Sequence, residues 1–156
     1  RDGTITAANS SSISDGGSAL VLTTAAQAAR LGLKPMARIV AHSRHSHEPN
    51  LFTTAPVFAM QKLFARTGWS ASDVDLFEIN EAFAMVTMMA IRDLGLDEAK
   101  VNVHGGACAM GHPIGSSGSR IMVSLMYALK HYGKQRGVAS LCIGGGEATA
   151  VAIEML

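Results

Sequence analysis

The stretch "VNVHGGACAMGHPIGSSGSR", residues 101–120, is the part of the sequence from which the rest is best interpreted. It begins as a short apolar strand, passes through a run rich in glycine, and enters the helical pattern "SGSRIMVSLMYALKHYG". Glycines let a backbone approach a ligand closely, and the run ends at a helix N-terminus. His112 lies inside it, where an imidazole can take a proton or donate a hydrogen bond to developing negative charge.

Outward from this run, strand and helix patterns alternate. The strand patterns are "MARIVAHS", "VDLFEI", "KVNVHG", "GVASLCIGGG" and "ATAVAIEML". Helix patterns are "TTAPVFAMQKLFARTGW", "NEAFAMVTMMAIRDLG" and the helix after His112. This order predicts an α/β fold with a mixed, mostly parallel five-stranded sheet covered by helices, whose final strand runs antiparallel. Before residue 25 we expect a strand, a loop and another short element, and then a short helix that ends at Gly32.

Composition bounds the function classes. The 156 residues are 48% hydrophobic and carry 13 basic against 12 acidic residues, without a block of Lys and Arg. We therefore expect a soluble globular protein that binds neither nucleic acid nor a membrane. Two cysteines are too few for a disulfide framework, which favours a reducing, cytoplasmic compartment. Because the sequence opens at Arg1, we expect an upstream part, and targeting cannot be assessed.

Polar residues follow three of the predicted strands. Asn80 and Glu81 follow "LFEI", His112 follows "KVNV", and Cys142 precedes the triplet that starts at Gly144. In open α/β sheets, chemistry collects beyond the C-terminal ends of strands, so the three groups could converge. Structural roles remain open for each. Asn80 suits a helix N-cap, Glu81 a helix dipole and Cys142 a small buried apolar residue. Functionally, glycine N–H groups could lower the pKa of Cys142 toward neutrality.

Two histidine groups are candidate metal ligands. His104, Cys108 and His112 are spaced by four, but the glycines and Pro113 among them disfavour a helix that would align them. "HSRHSHEP", residues 42–49, is interpreted as a solvated loop. We expect no metal, although a metal-binding module formed by His104, Cys108, His112 and Cys142 remains an alternative. "GGGEA" lacks the Lys and Ser/Thr of a phosphate loop, so no nucleotide site is predicted.

Three segments together resemble a known family. "NEAFA" (80–84), "GGACAMGHPIGSSGSR" (105–120) and "CIGGGEA" (142–148) resemble the C-terminal signature motifs of the thiolases, the acetyl-CoA acetyltransferases or 3-ketoacyl-CoA thiolases, in order and spacing. "DGTITAANSSSISDGGSALVL" is similar to the end of the family's N-terminal half. The resemblance implies the end of that half in residues 1–24 and the thiolase C-terminal domain in residues 25–156.

The resemblance implies a reaction and four site residues. Thiolases cleave 3-ketoacyl-CoA by thiolysis or condense two acyl-CoA, with coenzyme A thioesters as substrates and no covalently bound cofactor. Cys142 would be the acid/base residue, and His112 would activate the nucleophilic cysteine and line an oxyanion hole. Asn80 would hold a water that completes this hole. The N–H of Gly144 would serve a second hole.

Other parts of the family's site match nothing in this sequence. The nucleophilic cysteine and most of the coenzyme A loop belong to the N-terminal half of the same protein, which would be a partner of this chain. The resemblance also implies a homo-oligomer, either a dimer or a tetramer. Cys108 is expected to pack, and the isolated chain is expected to be inactive. A non-catalytic folded half or assembly partner remains the alternative.

The sequence departs from the commoner family pattern in two places. "FTTAP", residues 52–56, stands where Met-Gly-Thr-Gly-Pro is common, and Glu147 and Ala148 stand where Gln-Gly is common. These departures indicate a subfamily of the thiolases. "NEAF" argues against the sterol-carrier-type thiolases, which carry a histidine-containing motif there, and ketoacyl synthases lack the second cysteine.

Overall fold

A computed structural model describes residues 2–156. Its strands are β1 (Ala37–Ser46), β2 (Leu76–Ile79), β3 (Arg136–Ile143) and β4 (Glu147–Met155). Its helices are α1 (Ala25–Arg30), α2 (Ala55–Thr67), α3 (Ala84–Leu94), α4 (Ala107–Met110) and α5 (Ile114–Tyr132). Short 3-10 turns connect several of them. The helix predicted to end at Gly32 is α1, whose N-cap is Thr24.

The strands form one four-stranded sheet in the order β1-β4-β3-β2. Only β2 and β3 are parallel, while β4 runs antiparallel to both β1 and β3. The α/β class and the antiparallel final strand are confirmed. The prediction of five mostly parallel strands is wrong, because the long β3–β4 hairpin places an antiparallel strand at the centre of the sheet.

The predicted strand "KVNVHG" is the one that does not form. Val101 makes a single bridge to Phe77, and Asn102 then adopts a positive φ of 48°. The Asn102 side chain replaces the strand: its Oδ1 accepts from the Ile79 N–H at 2.8 Å, and its Nδ2 donates to the Ile79 carbonyl at 2.9 Å. Asn tolerates the left-handed conformation better than most residues. The backbone N–H and carbonyl of Ile79, at the outer side of β2, thus find their hydrogen-bond partners in an amide side chain and not in a fifth strand.

Alternation along the strands separates two cores. On one face, Phe77 and Ile79 pack with buried residues of α2 and α3 such as Met60 and Val86. On the other face, Leu76 packs with α5. Successive strand residues point to opposite faces, so the sheet is covered on both sides. The apolar residues of α5 that form this second core are Ile121, Leu125, Ala128 and Leu129.

Residues 2–24 contain a 3-10 turn, Ala7–Asn9, and no strand, so the strand expected there is wrong. The segment crosses the loop of His112: the carbonyl of Ser12 accepts from the His112 N–H at 2.9 Å. Its local sequence is rich in Ser and Gly, and side-chain hydrogen bonds hold such a chain without a ladder. The predicted first unit begins at Arg1, which lies outside the described residues.

None of the helices in residues 2–156 is long and apolar enough to cross a membrane.

Candidate active site

Asn80 stands at the C-terminal end of β2 and is 1% exposed. Its N–H donates to the Ser140 carbonyl at 2.9 Å, which continues the parallel pairing of β2 with β3. The helix that follows begins at Ala84 with Phe83 as N-cap, so the N-cap interpretation of Asn80 is wrong. Its side chain makes tertiary contacts instead, since Arg120 Nη2 donates to Asn80 Oδ1 at 3.4 Å.

His112 lies between α4 and α5 and is half-buried. Its Nε2 is 3.4 Å from Asn80 Nδ2, and its Nδ1 is 2.6 Å from the Ser117 hydroxyl. The same hydroxyl donates to the Pro113 carbonyl at 3.1 Å. A hydroxyl that uses its proton there accepts from His112, which assigns the proton of the neutral imidazole to Nδ1. Nε2 then keeps its lone pair and faces the Asn80 amide.

The charge state of His112 follows from its surroundings. Burial, and then the positive charge of Arg120, lowers the pKa of His112 below its ordinary value of 6.5. The imidazole is therefore neutral at pH 7, the form in which Nε2 can accept a proton. Asn80 and His112 thus place an amide donor and a base side by side.

Two charged residues neighbour Asn80: Arg120 contacts its side chain, and Glu78 interacts with the charge of Arg120. Glu78 is 2% exposed, and burial raises the pKa of its carboxyl to about 7, although Arg120 acts in the opposite direction. Arg120 Nε and Nη1 are buried without a hydrogen-bond partner among residues 2–156. Buried donors without partners are rare in native structures and concentrate at functional sites.

Glu81 fixes the loop that carries His112. Its carboxylate accepts from the Cys108 N–H at 3.1 Å and from Asn102 Nδ2 at 3.3 Å. A Cβ added to Gly106 would overlap this carboxylate, which explains a glycine at that position. Glu81 therefore holds α4 and the following loop, and not the dipole of α3. The Cys108 thiol packs beside it and donates to the Glu81 carbonyl at 3.7 Å.

Cys142 occupies β3 and is 7% exposed, within the core formed with α2 and α3. Burial raises the pKa of its thiol to about 11. The expectation that neighbouring glycine N–H groups lower this pKa is therefore wrong for this structure, because the apolar surroundings outweigh them. Cys142 lies two residues after Ser140, whose carbonyl accepts from the Asn80 N–H, so Cys142 lies at the same C-terminal end of β2 and β3 as Asn80. No hydrogen bond within residues 2–156 joins it to Asn80 or His112.

The glycine triplet forms the turn between β3 and β4. Gly146 closes it by donating to the Ile143 carbonyl at 3.1 Å and accepting from the His47 N–H at 3.0 Å. Its φ is 92°, and a Cβ there would overlap the His47 carbonyl. Gly144 is exposed, and none of the described hydrogen bonds uses its N–H. That N–H is free to meet a ligand at the edge of the sheet.

The metal candidates are dispersed. His104 packs near His131 and Tyr132, at the far end of α5 from His112. The segment interpreted as a solvated loop belongs to β1 as far as Ser46, so that interpretation is wrong. His45 stacks on Phe58, with ring centroids 4.7 Å apart. Nowhere in residues 2–156 do three His, Cys, Asp or Glu side chains gather as metal ligands.

Three residues around Asn80 and His112 were not among the site residues predicted from the sequence. Ser117 contacts His112, Arg120 contacts Asn80, and Glu78 interacts with the charge of Arg120, and none of the three was a candidate. Ser117 and Arg120 are three positions apart in the helix pattern after His112, a spacing that marks one face of a helix. Glu78 is two residues before Asn80, on the same face of β2. These spacings were the available signal.

Comparisons with known proteins show the family to which the chain belongs. The family model of the thiolase C-terminal domain matches residues 33–155. The cytosolic acetyl-CoA acetyltransferase of Mus musculus is 49% identical over 97% of this chain and 38% of its own length. The acetyl-CoA acetyltransferase of Allochromatium vinosum is 46% identical over 100% of this chain and 40% of its own length.

Solved structures give the same result. The crystal structure of the Bacillus anthracis acetyl-CoA acetyltransferase superposes with a TM-score of 0.97 at 45% identity, covering 100% of this chain and 40% of that one. The Acat5 thiolase from Ascaris suum, solved in complex with coenzyme A, gives a TM-score of 0.90 at 40% identity and covers 99% and 40%. The chain thus spans about 40% of the length of these relatives. It belongs to the thiolase family and corresponds to its C-terminal half.

Proposed function

We propose that the chain is the C-terminal part of a thiolase that cleaves 3-ketoacyl-CoA or condenses two acyl-CoA molecules, with Cys142, His112, Asn80 and Gly144 as its site residues. The observation that carries the proposal is the 3.4 Å approach of Asn80 Nδ2 to His112 Nε2 at the edge where β2 meets β3. Coenzyme A thioesters as substrates are supported by the names of the relatives and by coenzyme A in the Ascaris suum structure.

His112 would serve first as a base and then as a donor. Its neutral imidazole takes the proton of the nucleophilic thiol on Nε2, and the thiolate attacks the carbonyl carbon of the substrate. The imidazolium then carries N–H groups on both nitrogens. Nδ1–H stays on Ser117, and Nε2–H points to the oxygen on which negative charge develops.

Asn80 would act beside it. Its Nδ2–H₂ group faces the same region as His112 Nε2, and we propose that it holds a water that completes the hole for the thioester enolate. A single donor of this kind is worth about 3 kcal/mol in the transition state, because it is already oriented when the charge appears. Gly144, with its free N–H, would serve the second hole, in which the tetrahedral intermediate of acyl transfer forms.

Cys142 would carry protons. With a pKa of about 11, its resting form is the thiol, so in the cleavage direction it starts as the acid. It gives its proton to the α-carbon of the departing enolate, and the thiolate left behind takes the proton of the coenzyme A thiol. The coenzyme A thiolate then attacks the acyl-enzyme and releases the new acyl-CoA.

The acylated thiol would lie in a thiolase N-terminal half, because neither Cys108 nor Cys142 matches its motif. We propose that residues 1–24 end that half and that residues 25–156 form the C-terminal domain. The half would be a partner of this chain, it would supply most of the coenzyme A loop, and without it the chain would not turn over. We further propose a homo-oligomer, and a cytoplasmic location like that of the mouse relative named as cytosolic.

The test uses a fusion enzyme, in which the N-terminal half of the Bacillus anthracis acetyl-CoA acetyltransferase precedes this chain. Cys142→Ala is expected to abolish exchange of the acetyl-CoA α-protons with deuterium from the solvent and to leave acylation of the enzyme partly intact. Cys108→Ala is the matched control and should keep both reactions. Equal loss of exchange and acylation in Cys142→Ala would contradict the proton-carrier role.

A further inference from the structure

Arg120 contacts the oxygen of the Asn80 side-chain amide. It belongs to the second turn of α5, and its Nη2 donates to Asn80 Oδ1 at 3.4 Å. A guanidinium has five N–H donors and no acceptor, so only the oxygen of an amide can face it favourably. The Nδ2–H₂ group is thereby left on the other side, toward His112 Nε2.

The alternative orientation of the amide has two costs. With the amide turned over, Nδ2–H₂ would meet the guanidinium, donor against donor, in a place sheltered from water. Asn80 Oδ1 would then face His112 Nε2 and favour a proton on that nitrogen. The neutral imidazole would lose its lone pair on Nε2, and the Ser117 contact at Nδ1 would have to reverse its direction.

Glu78 lies close enough to Arg120 for their charges to interact, although no ion pair or hydrogen bond joins them among residues 2–156. It precedes Asn80 by two residues on β2, so both side chains lie on the face that α5 covers. The attraction of Arg120 opposes the effect of burial on the pKa of Glu78. The negative charge of Glu78 stabilises the partly buried guanidinium, since removing one member of a buried pair of charges leaves the other uncompensated.

We propose that Arg120, with Glu78 behind it, is a positioning residue that orients the Asn80 amide with its N–H groups toward His112 and thereby keeps Nε2 of the neutral imidazole unprotonated. The purpose of this orientation rests on the proposed function, whereas the orientation itself rests on the contacts of Arg120 alone. Neither residue touches the reacting atoms in this scheme.

The experiment is nitrogen-15 NMR of the 156-residue chain, observing the imidazole nitrogens of His112 and the side-chain amide of Asn80 above pH 7.5. The chain itself is expected to show a protonated Nδ1 and a bare Nε2. In Arg120→Met the two nitrogens should move toward the averaged values of a tautomer mixture, and exchange of the Asn80 amide protons with water should rise about tenfold, because a charge-assisted hydrogen bond is lost. Arg120→Lys, which can still donate, should restore the pattern.

Arg92→Met is the matched control, since Arg92 is exposed on α3 and pairs with its neighbour Asp93. It should leave the His112 and Asn80 signals unchanged. Arg120→Met with an unaltered tautomer and unaltered amide exchange would overturn the proposal. A proton on Nε2 in the unmodified chain would also overturn the proposal. Because this measurement needs no variant, the proposal can be tested even if Arg120→Met does not fold. No step requires substrate or turnover, so failure of the proposed acyl transfer is a separate result.

Discussion

The carboxyl groups at the two ends of β2, Asp75 and Glu78, have pKa values shifted in opposite directions. At the first end, Asp75 accepts from the N–H groups of Gln135 and Arg136 at 3.0 and 2.9 Å. Burial pushes the pKa of Asp75 upward, but these N–H groups outweigh it, and the pKa lies below its ordinary value. At the other end, burial raises the pKa of Glu78, and within the described part of the chain two nitrogens of the neighbouring Arg120 have no hydrogen-bond partner.

The difference separates a structural end of the strand from the end at which we propose the active site. Asp75 joins β2 to the start of β3 with every strong bond made, as stability requires. Glu78 and Asn80 are buried, and among residues 2–156 the Arg120–Asn80 bond is long and two buried nitrogens of Arg120 have no hydrogen-bond partner, which costs stability. Polar groups held in this way concentrate where binding or catalysis uses them. The comparison therefore predicts effects on the rate and on the pH dependence of stability at the C-terminal end, and only a small effect on stability at the other end.

The largest expected effect is on catalysis at the C-terminal end. Asn80→Ala in the fusion enzyme should lower kcat by about 10²- to 10³-fold, because a donor at the enolate hole is lost. Steady-state thiolysis of acetoacetyl-CoA measures it. Asn50→Ala, at an exposed position after β1, is the control and should leave kcat unchanged. An Asn80→Ala enzyme with normal kcat would remove Asn80 from the site.

Glu78 should make stability depend on pH. Its pKa is about 7 when folded against an ordinary 4.5, so the folded chain binds its proton more tightly than the unfolded chain does. The contribution of this group to the free energy of unfolding is therefore greatest below about pH 4.5. It falls by about 3 kcal/mol as the pH rises through 7. Glu78→Gln should remove this fall.

Urea unfolding at pH 5 and pH 8 measures the Glu78 effect. The free energy of unfolding of Glu78→Gln should improve relative to the unmodified chain as the pH rises. Glu98→Gln, at an exposed position, should show no such trend. If the difference between Glu78→Gln and the unmodified chain is the same at both values, the carboxyl is not perturbed as described.

The smallest expected effect is at the other end of β2. Asp75→Asn should lower the free energy of unfolding by about 1 kcal/mol at pH 7, because two charge-assisted bonds weaken at a partly exposed site. This contribution is complete above the ordinary carboxyl pKa and is lost as the pH falls from that value through the lower pKa of the folded chain, so the variant and the unmodified chain should converge below the ordinary value. Urea titrations at pH 7 and pH 3 test it, and kcat of the fusion enzyme should not change.

The sequence predicts one part of this site and not the other. Asn80, His112 and Cys142 follow apolar strand patterns or glycine runs, and such local patterns place them at one edge of a sheet. The supporting residues depend on tertiary contacts: Glu78 looks like any strand residue until α5 lies over it, and Arg120 looks like a solvated helix residue. Asn102 likewise gives no local sign that its side chain takes the place of a strand, which is why the fifth strand is wrong.

Peptide-level mass spectrometry of the fusion enzyme after reaction with acetoacetyl-CoA tests most directly the division of labour between the two cysteines. The account predicts an acetyl group on a cysteine of the N-terminal half, with Cys142 and Cys108 unmodified. An acetyl group on Cys142 or Cys108 would contradict it, since the thiol assigned to proton transfer or to packing would then be the nucleophile.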